Sequence, residues 1–294
     1  MGRILIGLFF LTFLVSCSDH TFLEDKVFAG GVLATKEELN SGKVLYTEYC
    51  MACHGIKGDG KGVAANGLSV PPRDFTKGIY KFGNVTSGEL PHDSHLIHII
   101  KNGLGGTGML PWDVSEKQAS NIVQYLKTFA PTAWEGADKK LGIEIVPSKD
   151  PYGEVYKDSA IERGKEVYHM VANCQSCHMA YATKDELDKM SLKLNNKKYG
   201  DYDPSMYKLK PQEGEWTAKN LPPDFTWHKI RSATTVEEIW VRLASGIGGT
   251  TMPSWKGTLE DNDIWAVSYY VKSLIDLKDT KERKVLTDRI EKSL

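Results

Sequence analysis

Residues 50–54 read CMACH and residues 174–178 read CQSCH. Two cysteines and a histidine at this spacing can ligate a metal ion, form a redox disulfide or fix a haem. On a helix, positions i, i+3 and i+4 share a face, so Cys50, Cys53 and His54 point one way, as do Cys174, Cys177 and His178. A structural zinc site needs four protein ligands, usually from two paired half-sites. Here the clusters lie 124 residues apart, and each has its own downstream methionine. A thioredoxin-type pair expects strand–helix alternation around it, which is absent. Cys-x-x-Cys-His reads instead as c-type haem attachment, with two thioethers holding the macrocycle edge and the histidine reaching the iron from one side.

The elements that position these residues come in two copies. Residues 103–112 (GLGGTGMLPW) and 246–255 (GIGGTTMPSW) share Gly-x-Gly-Gly-Thr-x-Met-x-x-Trp, which matches Met109 to Met252 and Trp112 to Trp255. Residues 71–76 (PPRDFT) and 222–226 (PPDFT) also correspond. Each copy runs Cys-x-x-Cys-His, Pro-Pro with Asp-Phe-Thr, a Gly-rich Met loop, then a helix, which is the signature of a tandem duplication. Capping-box patterns at Thr35–Glu38 and Ser159–Glu162 open the segments leading to each cluster. Short amphipathic helices are predicted at about 94–102 and 235–245, each closed by a glycine, Gly103 and Gly246. Longer helices follow each tryptophan, capped at Ser115–Gln118 and Thr258–Asp261. The expected fold is all-α.

These landmarks resemble a dihaem cytochrome c built from two class I cytochrome c domains, over nearly all of residues 36–275. CHGIKGDGKG, from Cys53 to Gly62, is typical of that family, whereas copy 2 departs after His178 with MAYATK. The resemblance implies two covalently attached haem c groups. It also implies an N-terminal helix crossing the C-terminal helix beside each haem, and a loop methionine opposite the histidine on the iron. Cys50, Cys53, Cys174 and Cys177 are then the attachment residues and His54, His178, Met109 and Met252 the iron ligands; a packing methionine is the bland alternative. Trp112 and Trp255 pack on the haem edge or reach a propionate. A backbone carbonyl near Pro71 or Pro222 would orient the histidine ring. His92, His95 and His98 are the rival ligands for copy 1, although copy 2 has Glu238 and Val241 where His95 and His98 would fall.

The five cysteines are Cys17 and the four of the clusters, which leaves no disulfide framework. Cys17 closes MGRILIGLFFLTFLVSC, with Arg3 followed by an apolar run, Ile4 to Val15, too short to span ~30 Å of hydrocarbon. Leu14-Val15-Ser16-Cys17 resembles a bacterial lipobox, implying a lipid-bearing Cys17 on an exported protein; the alternative is an ordinary signal peptide with an incidental cysteine. The boundaries read as a signal peptide at 1–16, a tether at 17–35, domain 1 at 36–131 and a linker at 132–158. Domain 2 follows at 159–275, with a polar insertion at about 181–214 expected as a solvated loop, and a charged tail at 276–294. Lys plus Arg (37) balances Asp plus Glu (38), so nothing points to nucleic acid.

These readings converge on an electron carrier rather than an enzyme. It would be lipid-anchored on the periplasmic side of a bacterial membrane, between a redox donor and acceptor or among the subunits of a respiratory complex. The competing class is a dihaem peroxidase, which needs one iron with a displaceable ligand and acid–base groups above it.

Overall fold

The computed structural model describes residues 21–200, 202–215 and 219–294; the proposed signal peptide and Cys17 lie outside them. A small hairpin, β1 (Lys26–Phe28) and β2 (Val32–Ala34), precedes ten helical segments. Domain 1 holds α1 (Lys36–Tyr49), α2 (Met51–His54), α3 (Asp93–Asn102), α4 (Glu116–Lys127) and the short α5 (Pro131–Trp134). Domain 2 holds α6 (Lys157–Glu166), α7 (Lys184–Asn195), α8 (Val236–Ser245), α9 (Asp261–Ile275) and α10 (Lys281–Glu291). No helix among the described residues is long and apolar enough to cross a membrane.

The two copies share one packing device. A Cβ added to Gly42 of α1 would lie 2.0 Å from the Asn121 carbonyl oxygen of α4, and one on Gly164 of α6 would lie 2.0 Å from that of Ala266 on α9. Only glycine lets the first helix of each domain cross the last with backbones in contact. The space to Cys50 is eight residues from Gly42, but ten to Cys174 from Gly164. Copy 2 absorbs the two extra residues in a π-helical turn at Val167–Val171 and a left-handed Asn173 (φ 48°), then resumes with a 3₁₀ turn at Cys174–Ser176. A π turn is the usual way to insert residues without unwinding a helix.

Capping follows the sequence at Thr35, Ser115 and Thr235, where each side chain accepts from the third backbone N–H of its helix. Two expectations are corrected. α6 starts at Lys157, placing Ser159 inside the helix, and α9 starts after Glu260, so Thr258 caps nothing. The stretch expected as a tether, 17–35, in fact contributes Phe28, Ala29 and Ala34 to the core of domain 1, all fully buried. The linker is also partly built in, since Trp134 is fully buried in domain 1 and Ile145 joins the domain 2 core. The insertion is not a solvated loop: α7 and its neighbours form a small cluster of Ala180, Ala182, Leu187, Met190 and Met206.

The domains meet through matched surfaces. In the Met loop of domain 2, a Cβ on Gly248 would lie 2.0 Å from the Tyr80 carbonyl oxygen, and the Gly248 N–H donates to Lys81 at 3.2 Å. In the Met loop of domain 1, Gly105 occupies the same motif position and faces the Ile230 carbonyl oxygen, while Gly106 faces Lys229. Tyr80 and Ile230 each lie four residues beyond their Asp-Phe-Thr. The pairing is therefore approximately two-fold: each domain offers the other its Met loop and the loop after its Pro-Pro segment.

Candidate haem-binding site

Each cluster sits on one helical turn. The N–H of His54 donates to the Cys50 carbonyl at 2.9 Å and that of His178 to Cys174 at 2.9 Å, with the Cys53 and Cys177 N–H groups closing the same turn at 3.2 Å. Tyr46 on α1 donates its hydroxyl to the Gly55 carbonyl at 2.6 Å, and Tyr168 donates to Met179 at 2.8 Å, so the residue after each histidine is pinned in the same way. All four thiols are free and partly buried. Burial pushes the Cys50 and Cys174 thiols up to about 12.

The histidine rings are held from the Pro-Pro loops. His54 Nδ1 lies 3.0 Å from the Arg73 carbonyl oxygen and His178 Nδ1 lies 3.5 Å from that of Pro223. The acceptor is thus the residue just before Asp-Phe-Thr in both copies, one or two positions beyond the prolines named from sequence. Donation from Nδ1 selects the tautomer whose Nε2 carries the free lone pair. Phe75 stacks on His54 at 4.5 Å and Phe225 on His178 at 4.8 Å. Burial lowers both imidazoles, His178 to about 4, keeping them neutral and able to ligate at neutral pH.

The Met loops are superimposable in their hydrogen bonds. Gly103 (φ 67°) and Gly246 (φ 72°) end α3 and α8 in a conformation that disfavours side chains, and a Cβ there would strike the chain at Met109 or Met252. Leu104 N–H donates to the Met109 carbonyl at 2.8 Å and Ile247 to Met252 at 3.2 Å. Inside each loop a threonine hydroxyl bridges the turn: Thr107 donates to Leu104 and accepts from Met109 N–H at 3.0 Å, and Thr250 donates to Ile247 and accepts from Met252 N–H at 3.2 Å. These threonines, with Phe75 and Phe225, were visible as repeated letters but were given no role from sequence. Trp112 and Trp255 anchor the loops back on the helices, donating backbone N–H to Ile100 at 3.2 Å and Leu243 at 3.1 Å.

All ten residues named from sequence line one continuous cavity of about 1790 Å³: Cys50, Cys53, His54, Met109, Trp112, Cys174, Cys177, His178, Met252 and Trp255. Single-ligand sites occupy ~300–1,000 Å³, so the space suits two large apolar groups better than one. Its walls are apolar, with Leu96, Ile100 and Leu126 from domain 1 and Ile239, Leu243 and Val271 from domain 2. Paired thiols, a neutral histidine, an opposing thioether loop and apolar walls fit haem c.

The rival histidines lie elsewhere. His92 Nε2 is 2.9 Å from the Gly142 carbonyl oxygen and His95 Nε2 is 3.0 Å from Glu144, while His98 meets Asn102 on its own helix. None lines the cavity. His92 and His95 tie α3 to the linker. Met51, Met170, Met179, Met190 and Met206 are likewise absent from its walls. The insertion braces the second cluster from outside, with the Gln175 amide donating to the Tyr199 hydroxyl and Lys210 reaching the Gln175 carbonyl. α10 braces the Pro-Pro loop of copy 2, where Arg283 donates to Thr226 Oγ1 at 3.1 Å and faces Asp224 at 3.7 Å.

Residues 37–126 and 159–271 match the family model described as cytochrome c oxidase, cbb3-type, subunit III, and the chain belongs to that family. The two matched segments each contain one Cys-x-x-Cys-His cluster, and the mostly helical architecture is that of two tandem class I cytochrome c domains. No curated protein matches the chain. Among solved structures, it is similar to a chain of the Kuenenia stuttgartiensis reducing HAO-like protein complex Kustc0457/Kustc0458, with 28% identity and a TM-score of 0.62 over 80% of this chain and 96% of that one. The protein is a c-type cytochrome of electron transfer.

Proposed function

We propose that this chain is a lipid-anchored dihaem cytochrome c that passes electrons singly between periplasmic redox partners, as a free carrier or as a subunit of a larger complex. The observation that carries this reading is the single cavity lined by two complete sets of attachment cysteines, histidine and methionine. Bound haem supplies a reversible one-electron iron couple, and thioether ligation favours its reduced form.

The chain's own residues do the rest. Cys50 and Cys53, with Cys174 and Cys177, fix one group in each domain. The Arg73 and Pro223 carbonyls hold His54 and His178 with Nε2 available to iron. The threonine-bridged loops present Met109 and Met252 from the opposite side, and Trp112 and Trp255 close the edges. With equivalent loops in both copies, both irons are six-coordinate and neither offers a substrate position. The sequence of residues 1–17 supports export and an acyl chain on Cys17, and the similarity to a chain from a complex of redox proteins supports protein partners.

The test is a haemochrome count with optical and resonance spectra of the oxidised, purified protein. Two covalently bound, low-spin, methionine-ligated haems are expected. A high-spin component with rapid peroxide turnover would instead establish the peroxidase class.

A further inference from the structure

Where the domains meet, four cations surround the same cavity: Arg73 and Lys81 from domain 1, Arg231 and Arg242 from domain 2. Arg242 projects from α8 and is only 9% exposed, yet its Nε and Nη1 atoms have no hydrogen-bond partner. Its guanidinium lies 5.8 Å from the ring centre of Phe82 in the other domain. Lys81 donates to a neutral group, the Asn220 side-chain oxygen, at 3.0 Å across the junction. Lys81 and Arg231 each lie five residues beyond their Asp-Phe-Thr, so the two copies bring equivalent cations to the junction.

A buried guanidinium with unmet donors costs free energy unless an anion completes it. Burial pushes Arg73 and Arg242 down to about 10 and Lys81 to about 8, and Arg73 and Arg231 also depress Lys81. The surroundings offer Arg242 one acidic neighbour, Glu238, one helical turn earlier. Its carboxylate is already engaged by the N–H groups of Thr234 and Thr235. The junction is therefore built for anions that the polypeptide does not provide.

We propose that Arg73, Lys81, Arg231 and Arg242 form one shared seat for haem carboxylates at the domain junction, with cations from each domain serving both groups. This rests on the two-haem reading above. The seat links cofactor loading to domain docking, because without the carboxylates the four cations repel one another across the interface. It also sets redox potential: cations beside a haem disfavour the additional positive charge of the oxidised iron and so raise the potential.

The test is an optical redox titration of haem-loaded Arg242→Gln and Arg242→Lys, with Arg231→Gln as a second loss of charge. Only protein with a haemochrome count of two and a low-spin spectrum enters the comparison. Arg242→Gln and Arg231→Gln should lower at least one midpoint, by about tenfold in the reduced-to-oxidised ratio at fixed potential (~59 mV for one electron). Arg242→Lys should stay near wild type, which a purely packing role would not produce. Unchanged midpoints in both Gln variants overturn the seat and leave the two-haem reading standing; a wild-type count below two overturns that reading instead. Midpoints that follow added phosphate would put a solute anion in the seat and also overturn the assignment.

Discussion

At the scale of single residues, the site depends on small polar contacts that fix otherwise adaptable side chains. Met109 and Met252 are held through Thr107 and Thr250, and His54 and His178 through backbone carbonyls. Met109→Ala or Met252→Ala should lower the potential of one haem and open it to small ligands while both attachments persist. Carbon monoxide binding to the reduced protein, one equivalent per variant and none in wild type, is the check. A second prediction concerns His169, which is 1% exposed, with Nδ1 against the Lys165 carbonyl and Nε2 accepting the Tyr181 N–H. Both ring nitrogens are thus committed to the neutral form, and burial lowers the group to about 4. Above the unfolded value of ~6.5 it is neutral in both states and costs nothing. As pH falls from there toward 4 the unfolded chain gains a proton that the fold refuses, removing on the order of 3 kcal/mol. Haem-loaded His169→Gln should show a flatter fall of thermal stability between pH 6.5 and 4 than wild type; equal slopes would refute the assignment.

At the scale of elements, the duplication was legible because its landmarks are short, local and repeated. Thr35, Ser115, Gly103 and Gly246 do what their letters suggest. The misreadings arose where tertiary packing decided. Ser159 satisfies a capping pattern, but α6 begins two residues earlier, and the hairpin at 26–34 has too few residues to show alternation. The insertion has little apolar periodicity, yet its few buried side chains find one another around α7. The crossing glycines carried no visible signal because the π turn shifts one of them by two positions relative to its cluster. Gly164→Ala should force α6 from α9 and destabilise domain 2 by about 3 kcal/mol, the upper end of ordinary overpacking. Gly42→Ala should do the same to domain 1. Differential thermal unfolding followed at the haem bands should show a lowered transition for the altered domain alone.

At the scale of the whole molecule, the sequence named ten cavity-lining residues but could not show that both copies share one cavity. That fact depends on the relative placement of the domains, and it rests on contacts such as Gly248 against Tyr80, which no periodicity encodes. Gly248→Ala should therefore separate the domains while leaving both haems attached. Small-angle scattering should report a larger radius of gyration and proteases should cut sooner within 135–150; an unchanged radius would mean that the junction yields locally.

The common cavity also has a consequence for the order of events during biogenesis. A protein whose entire stability is about 5–15 kcal/mol cannot hold open 1790 Å³ of largely apolar-walled space with four cations at its seam. Nor could buried thiols raised to about 12 react readily as thiolates once enclosed. For a chain that carries two haems, the closed form is the product of attachment and not its template. The cysteines must be modified on an open or partly folded chain, and the halves come together afterwards around their cargo.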